Sequence, residues 1–116
     1  DETIRAALAT IAELEERYKN ISIQDKGKRF NLDLLEAVEL GFLIELAKVM
    51  SVGALHRKES RGGHYREDFP KRDDVNFMKH SMVYLDPESE FEGVKGLRFE
   101  TKPVVYTRYE PKERKY

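Results

Sequence analysis

The sequence predicts a mainly α-helical fold, in which a helical-bundle core of two long antiparallel helices precedes an irregular charged loop and a small β-hairpin tail. Apolar residues recur at helical spacing over 1–20 and 31–58. A mixed-charge segment broken by glycine and proline follows, and the last third contains short runs that alternate apolar and charged residues. The expected organisation is a single helical domain, divided into a helical part at 1–58, a charged loop at 59–77, and a hairpin with a tail at 78–116.

The composition narrows the class of protein. A chain of 116 residues fits a single domain. With 21 basic and 22 acidic side chains, a net charge of −1 argues against a nucleic-acid or anionic-membrane binder. The absence of cysteine excludes disulfides and thiolate metal sites. No apolar run reaches the roughly 20 residues that span a membrane. Because the chain starts at Asp1, we expect either processing or a longer parent chain.

The first predicted helix has one apolar face. Asp1 or Thr3 is expected to cap its start, and the acidic residues there suit the positive end of the helix dipole. The residues that form the apolar stripe are Ile4, Leu8, Ile11, Leu14 and Tyr18.

The second predicted helix is longer and starts at Asn31, a favourable N-cap residue. Phe30 and Leu35 have the spacing of a hydrophobic staple. Gly41 and Gly53 lower helix propensity, which indicates a close backbone approach or a bend.

The second helix is apolar most of the way round, and such helices are normally buried from several sides. One broad stripe consists of Leu34, Leu35, Val38, Phe42, Leu46, Val49, Met50 and Leu55. Leu40, Leu43 and Ile44 lie outside that stripe, and we expect them to form an exposed patch. One partner helix cannot cover all of this surface. The sequence therefore predicts that covering protein lies outside the chain, or that the chain self-associates through this helix.

The charged loop and the tail are expected to be irregular around one hairpin. Gly62 and Gly63 should end the second helix and turn the backbone. Strands are predicted at Met78–Leu85 and Leu97–Lys102, joined by a flexible polar loop. The tail that follows is too charged to build a core alone.

Several kinds of chemistry fit the charged loop. The three histidines of the chain, His56, His64 and His80, lack metal-binding spacing, so no metal site is predicted. The glycines at 62–63 follow a helix, whereas a phosphate-binding loop places them before one. Acidic residues among the basic ones would repel nucleic-acid phosphates. A carboxylate clamp built from arginine remains open beside an ion-pair seam that fixes the loop against other protein, and we favour the seam.

A distinctive string of residues runs through the loop. It reads ESRG-x-H-x-R-x-D-x-P from Glu59 to Pro70, then RDD-x-N from Arg72 and Lys79-His80. Together with Phe30-Asn31 and Ala54-Leu55, it resembles the C-terminal region of succinate dehydrogenase and fumarate reductase flavoprotein subunits. L-aspartate oxidase is similar around ESRG only. The terminus from Pro111 through Arg114 to Tyr116 is similar to that of succinate dehydrogenases, which we favour.

The resemblance implies that the chain is part of an FAD-dependent oxidoreductase that oxidises succinate to fumarate in the tricarboxylic acid cycle. It implies further FAD-binding and capping domains, and an additional helix that makes a three-helix bundle. It also implies an iron–sulfur subunit and membrane anchors as partners, at the cytoplasmic side of the inner membrane. No catalytic or cofactor-binding residue carries over to this chain, and FAD is expected only in the intact subunit.

The charged loop would then be an inter-domain seam that locks the helical domain to the rest of the subunit. The residues of this charged seam are Glu59, Arg61, His64, Arg66, Asp68, Arg72 and Asp73. A stand-alone interaction module, or the corresponding domain of fumarate reductase or L-aspartate oxidase, is the alternative.

Overall fold

The computed structural model describes residues 1–112 and consists of two helices followed by a two-stranded antiparallel sheet. The predicted fold class is confirmed. Of the terminal motif, Arg114 and Tyr116 lie outside the described residues. The elements are α1 (Glu2–Tyr18), α2 (Leu32–His56), β1 (Lys79–Phe91) and β2 (Val94–Pro103).

The start of α1 differs from the prediction. Asp1 occupies the N-cap position, but its side chain makes no capping hydrogen bond. Its carboxylate instead accepts from the Arg66 guanidinium, because an ionised partner is a stronger donor than a backbone amide. Thr3 lies inside the helix, so neither predicted residue caps it. No residue of α1 is fully buried.

Asn31 caps α2 as predicted. Its Oδ1 accepts from the Leu34 amide at 2.9 Å. Its Nδ2 donates to the carbonyls of Asp25 and Gly27, both at 2.9 Å. One side chain therefore closes the connector and fixes the start of α2.

The predicted hydrophobic staple is wrong. The Phe30 side chain is 99% exposed and Leu35 is 52% exposed, so the two do not cover each other. The cause lies in the backbone, since Phe30 has φ = 50°, in the left-handed region that bulky residues rarely adopt. In a hydrophobic staple, the side chain of the residue before the N-cap, here Phe30, packs on the first turn of the helix. The backbone conformation of Phe30 directs its side chain elsewhere.

The two helices meet at Gly41. Tyr18 Oη donates to the Ala37 carbonyl at 2.8 Å. A Cβ on Gly41 would lie only 2.6 Å from this Tyr18 Oη. The predicted close approach is thus confirmed at Gly41. At Gly53, a Cβ would meet nothing within 4 Å, so that glycine has no such role.

The small core lies along one face of α2 and reaches the hairpin. Its buried apolar side chains, among the described residues, are Ile44, Val52, Leu55 and Leu97. The expectation that Ile44 is exposed is therefore wrong. Ile44 lies one turn after Gly41 on the same face of the helix, which is the face that packs on α1.

The hairpin is longer than predicted. Instead of a flexible loop, both strands continue to a two-residue turn at Glu92-Gly93, with Phe91 paired to Val94. Glu92 and Gly93 have φ of 53° and 81°, as in the turn type that matches strand twist. The pairing is irregular between Leu85 and Glu90, which accommodates the unequal strand lengths.

An aromatic cluster joins the end of α2 to the hairpin. Phe91 and Phe99 stack with ring centroids 4.4 Å apart, and the His56 ring lies 4.3 Å from Phe99. Phe77 approaches the other side of His56 at 6.1 Å. Burial lowers the pKa of His56 below its usual value, although the carboxylate of Glu92 acts in the opposite direction.

The chain is elongated and exposes much surface for its size. Its radius of gyration is 18.4 Å, whereas a compact chain of this length has about 13 Å. Its accessible surface is 9549 Å², against about 6,600 Å² for a compact monomer of equal mass. The extended segment after β2 contributes to both values, and the exposed apolar side chains of α2 add to the accessible surface.

Candidate functional site

Glu59 is the centre of the first cluster in the charged loop, and its side chain is fully buried. Arg61 Nε and Nη2 donate to its two oxygens at 2.9 and 3.0 Å. Arg57 Nη1 donates at 2.5 Å and the Asp73 amide at 2.8 Å. Burial opposes ionisation of Glu59, but these donors outweigh it and hold the pKa of the carboxyl below its usual value.

Arg66 is the centre of the second cluster and is 4% exposed. Its Nη1 donates to the carbonyls of Ala54 and Leu55 at 2.9 and 3.0 Å. Its Nε and Nη2 donate to Asp68 at 2.8 and 2.5 Å. A cation at the C-terminus of α2 suits the negative end of the helix dipole. The hydrogen bonds from Arg66 also hold the pKa of Asp68 well below its usual range.

The remaining charged residues extend the first cluster. Asp74 accepts from Arg61 at 2.6 Å and from Arg72 at 2.8 Å, and the Arg61 contact lowers its pKa. Asp73 Oδ1 caps a single turn by accepting from the Asn76 amide at 2.9 Å. That backbone bond is the main cause of the lowered pKa of Asp73.

His64 belongs to a tight turn rather than to an acid–base site. The backbone of Arg61 and His64 is paired in both directions, at 2.8 and 3.0 Å. His64 Nε2 lies 3.1 Å from the Arg57 carbonyl, to which it donates. Its ring therefore braces the segment that leaves α2.

Besides Asp1 and Asp74, two further residues of the network, Arg57 and Ser60, were not among the predicted seam residues. Arg57 donates to the carbonyls of Phe77 and Lys79 at 2.8 and 2.7 Å, and so ties the end of α2 to β1. Ser60 Oγ donates to the Phe69 carbonyl at 2.8 Å and accepts from the backbone amide of Arg66 at 2.9 Å. Arg57 opens the RKESRG string two residues before Glu59, which was the available signal.

The structure thus brings the seven seam residues into one loop, where five of them form ion pairs and where His64 and Asp73 make hydrogen bonds to backbone groups. Within residues 1–112, no buried side-chain nitrogen or oxygen lacks a hydrogen-bond partner. Their contact with another domain remains a prediction. Since Glu59 and Asp68 occupy the forks of Arg61 and Arg66, neither fork is free to clamp a substrate carboxylate.

The groups of the charged loop that could hold an anion or a metal ion are its arginine and acidic side chains. Arg61 and Arg66 are already paired with carboxylates of the same loop. In residues 1–112, no group of three or more histidine or acidic side chains is arranged to hold a metal. Neither α1 nor α2 has the length and apolar character to cross a bilayer.

The second surface of interest is the open face of α2, whose apolar side chains are mostly uncovered. Most of the predicted stripe is exposed, although Leu55 at its end belongs to the core, while the face that carries Gly41 and Ile44 packs on α1. Phe42 is 59% exposed, Leu43 62% and Met50 73%. The open face consists of Leu32, Leu34, Leu35, Val38, Leu40, Phe42, Leu43, Leu46 and Met50.

Known proteins match this chain over its whole length. The family model described as fumarate reductase flavoprotein C-term matches residues 1–116. The fumarate reductase flavoprotein subunit of Haemophilus influenzae is 40% identical over 114 residues, which are 98% of this chain and 18% of the relative. The succinate dehydrogenase flavoprotein subunit of Rickettsia felis is 39% identical over 106 residues, 91% of this chain and 17% of the relative.

The fold agrees with the sequence match. A structure of E. coli quinol fumarate reductase superposes with a TM-score of 0.83 at 37% identity, covering 97% of this chain and 18% of that one. The chain therefore spans less than a fifth of the length of these proteins. It belongs to the family of fumarate reductase and succinate dehydrogenase flavoprotein subunits, of which it is the C-terminal domain.

Proposed function

We propose that this domain has a structural role: it docks through the open face of α2 onto the remainder of a flavoprotein subunit that interconverts succinate and fumarate. The supporting observation is the exposure of that face. Leu43, Leu46 and Met50 are 62%, 58% and 73% exposed on a helix whose opposite side already packs on α1. Burying one such leucine is worth about 1.5–3 kcal/mol, so the whole face supports a stable intramolecular interface.

The chemistry of the intact subunit belongs to its other domains in this proposal. FAD is bound there, takes a hydride from succinate, and passes electrons to an iron–sulfur subunit and then to quinone. Membrane anchor subunits hold the assembly at the cytoplasmic side of the inner membrane. The charged seam contributes by keeping the end of α2, the loop and the hairpin as one rigid piece for docking.

We infer that the intact subunit is a succinate dehydrogenase rather than a fumarate reductase, because the terminal Arg114-Lys115-Tyr116 segment resembles the terminus of succinate dehydrogenases. Relatives of both names match at nearly equal identity, 40% and 39%, and favour neither direction. Steady-state rates of the intact enzyme with succinate and with fumarate test this inference. A faster fumarate reduction at matched driving force would reverse it.

The docking role is tested by producing residues 1–116 and the remainder of the subunit as separate polypeptides. We expect the two to co-purify and the assembled pair to retain FAD. Leu46→Asp should abolish assembly, because a carboxylate would be buried without a partner in the interface.

Leu85→Asp is the matched control. Leu85 is 69% exposed, but it lies on the hairpin rather than on α2. We expect this variant to assemble normally. Failure of the unmodified halves to associate, or equal disruption by both substitutions, would contradict docking through α2. Self-association of the chain that competes with assembly would identify the open face as a dimer surface instead.

A further inference from the structure

We propose that Phe30, with Lys28 and Arg29 beside it, is an anchor that inserts into an apolar pocket with an acidic rim on the remainder of the subunit. This inference rests on the proposed docking role and extends it to the connector between α1 and α2. The anchor tip is defined here as residues 26–30, at the start of the open face.

The first argument is the mismatch between residue type and backbone at Phe30. Its φ of 50° is adopted cheaply by glycine or asparagine, whereas a bulky aromatic residue is strained there. The hydrogen bonds of Asn31 to Asp25 and Gly27 explain the shape of the connector. They do not explain why a phenylalanine occupies its most strained position.

The second argument is the exposure of the ring. Phe30 is 99% exposed, the highest value among the large apolar side chains of residues 1–112. A ring in water contributes nothing to the fold of this domain, whereas buried aromatic side chains are typical anchors of protein interfaces. Leu32 and Leu35, at 64% and 52% exposure, connect the ring to the open face of α2.

The third argument is charge. Lys26, Lys28 and Arg29 are all exposed, and none of them forms a salt bridge within the described part of the chain. The nearby acids are engaged in local structure: Asp25 accepts from the Gly27 amide at 2.7 Å, and Asp33 from the Asp25 amide at 3.2 Å. A positive tip is best complemented by carboxylates around the pocket.

The occupant follows from continuity. The anchor tip extends the open face without a break, and the proposed function places the remainder of the same polypeptide on that face. Since the chain spans only 18% of the relative from Haemophilus influenzae, that remainder is large enough to cover both surfaces. A neighbouring subunit and a second copy of this domain are the other possible occupants, and the test separates them.

The test is a photo-crosslink in the intact holoenzyme, with p-benzoylphenylalanine replacing Phe30. We expect a crosslink within the same polypeptide, mapped by mass spectrometry to a segment outside residues 1–116 that contains aspartate or glutamate. The same probe at Val75, which is 89% exposed on the charged loop, serves as the control and should give little crosslink to that segment. A crosslink to another subunit, to a second copy, or to nothing would overturn the proposal.

A second measurement separates the ring from the strained backbone. In the intact subunit, Phe30→Ala and Phe30→Gly should both speed hydrogen exchange at the start of α2 by about tenfold or more, the scale set by burying one ring. Phe30→Leu should restore most of the protection. In the isolated chain, Phe30→Gly should slow exchange at the same amides, because it only relieves strain.

These outcomes are distinct from failure of the proposed function. If the separated halves assemble through Leu46 but the probe at position 30 finds no pocket, only the anchor is wrong. If Phe30→Gly speeds exchange in the isolated chain as well, the ring stabilises this domain internally, and the anchor is again wrong.

Discussion

The charged loop directly follows α2, whose open face is mostly exposed, and the two regions differ in how far their side chains are satisfied within the chain. In the loop, a fully buried carboxylate and a nearly buried guanidinium find all their partners within the chain. On α2, nine large apolar side chains on consecutive turns remain largely exposed. The buried polar groups of the domain find their partners within the chain, whereas the apolar side chains of the open face are not covered by it.

The difference has a physical cause. An unpaired buried charge costs several kcal/mol, so ionic groups must be satisfied wherever the chain folds. An exposed leucine carries no such penalty and only lacks the favourable free energy of burial. A domain can therefore fold with an apolar face that becomes covered only when its partner binds. The apolar surface is therefore the better guide to a missing neighbour than the dense charge of the seam.

The largest expected effect comes from breaking the completed region. Glu59→Gln should destabilise the chain by about 3–5 kcal/mol, because it removes the fully buried carboxylate that Arg57 and Arg61 share and leaves Arg61 with Asp74 alone. Urea unfolding followed by circular dichroism measures the loss. Glu13→Gln is the control, since Glu13 is 70% exposed in a surface pair with Arg17. Equal effects of the two changes would mean that the Glu59 cluster adds no stability.

The comparison between covered and open apolar surface is tested with one leucine from each. Leu55→Ala should cost about 2–5 kcal/mol in the isolated chain, because Leu55 is 1% exposed. Leu46→Ala, at 58% exposure, should change stability by less than about 0.5 kcal/mol. In the intact subunit Leu46→Ala should become costly. If it stays neutral there, the open face is not covered.

The contact between the helices is tested with two glycines of α2. Both Gly41→Ala and Gly53→Ala gain helix propensity, but only the new methyl at position 41 meets Tyr18 Oη, at 2.6 Å. Gly41→Ala should therefore be less stable than Gly53→Ala by about 1–3 kcal/mol. Thermal unfolding of both variants gives the difference. Equal stabilities would show that Tyr18 moves aside without loss.

The smallest expected effect is the pH dependence from His56. Its pKa is lowered in the folded chain from the ordinary 6.5, mainly by burial, so the unfolded chain binds the extra proton first. Stability should thus be constant just above pH 6.5 and fall as the pH drops below it. The lowered pKa of Glu59 adds a further loss only below its ordinary value of 4.5.

Replacing the ring isolates this contribution. His56→Phe should flatten the stability profile between pH 6.5 and pH 5, as measured by urea unfolding at several pH values. His80→Gln, on the exposed part of β1, should leave the slope unchanged. An unchanged slope in His56→Phe would place the titrating group elsewhere.

Local signals in the sequence predicted much of this structure. Asn31 followed by an apolar run identified the start of α2, and the glycine at position 41 identified the helix contact. Tertiary geometry decided the rest. Ile44 is buried because α1 packs on the Gly41 face, and periodicity could not choose between faces of a helix that is apolar nearly all round.

Other errors have similar causes. The loop expected between the two strands is mostly strand, because the Glu92-Gly93 turn fixes the register. The sequence did not indicate this turn, since glutamate is an unusual residue at its first position. Within the site, the string of charged residues identified the seam, but the sequence could not show that the partners of Glu59 and Arg66 lie in this chain. That pairing depends on how the loop folds back on α2.

The two hydrogen bonds from Arg66 to the Ala54 and Leu55 carbonyls have a mechanical consequence. Because the planar guanidinium of Arg66 binds both the last turn of α2 and Asp68, the helix cannot rotate about its axis without moving the loop. Rotation of the last turn of α2 is thus coupled to displacement of the loop at Asp68.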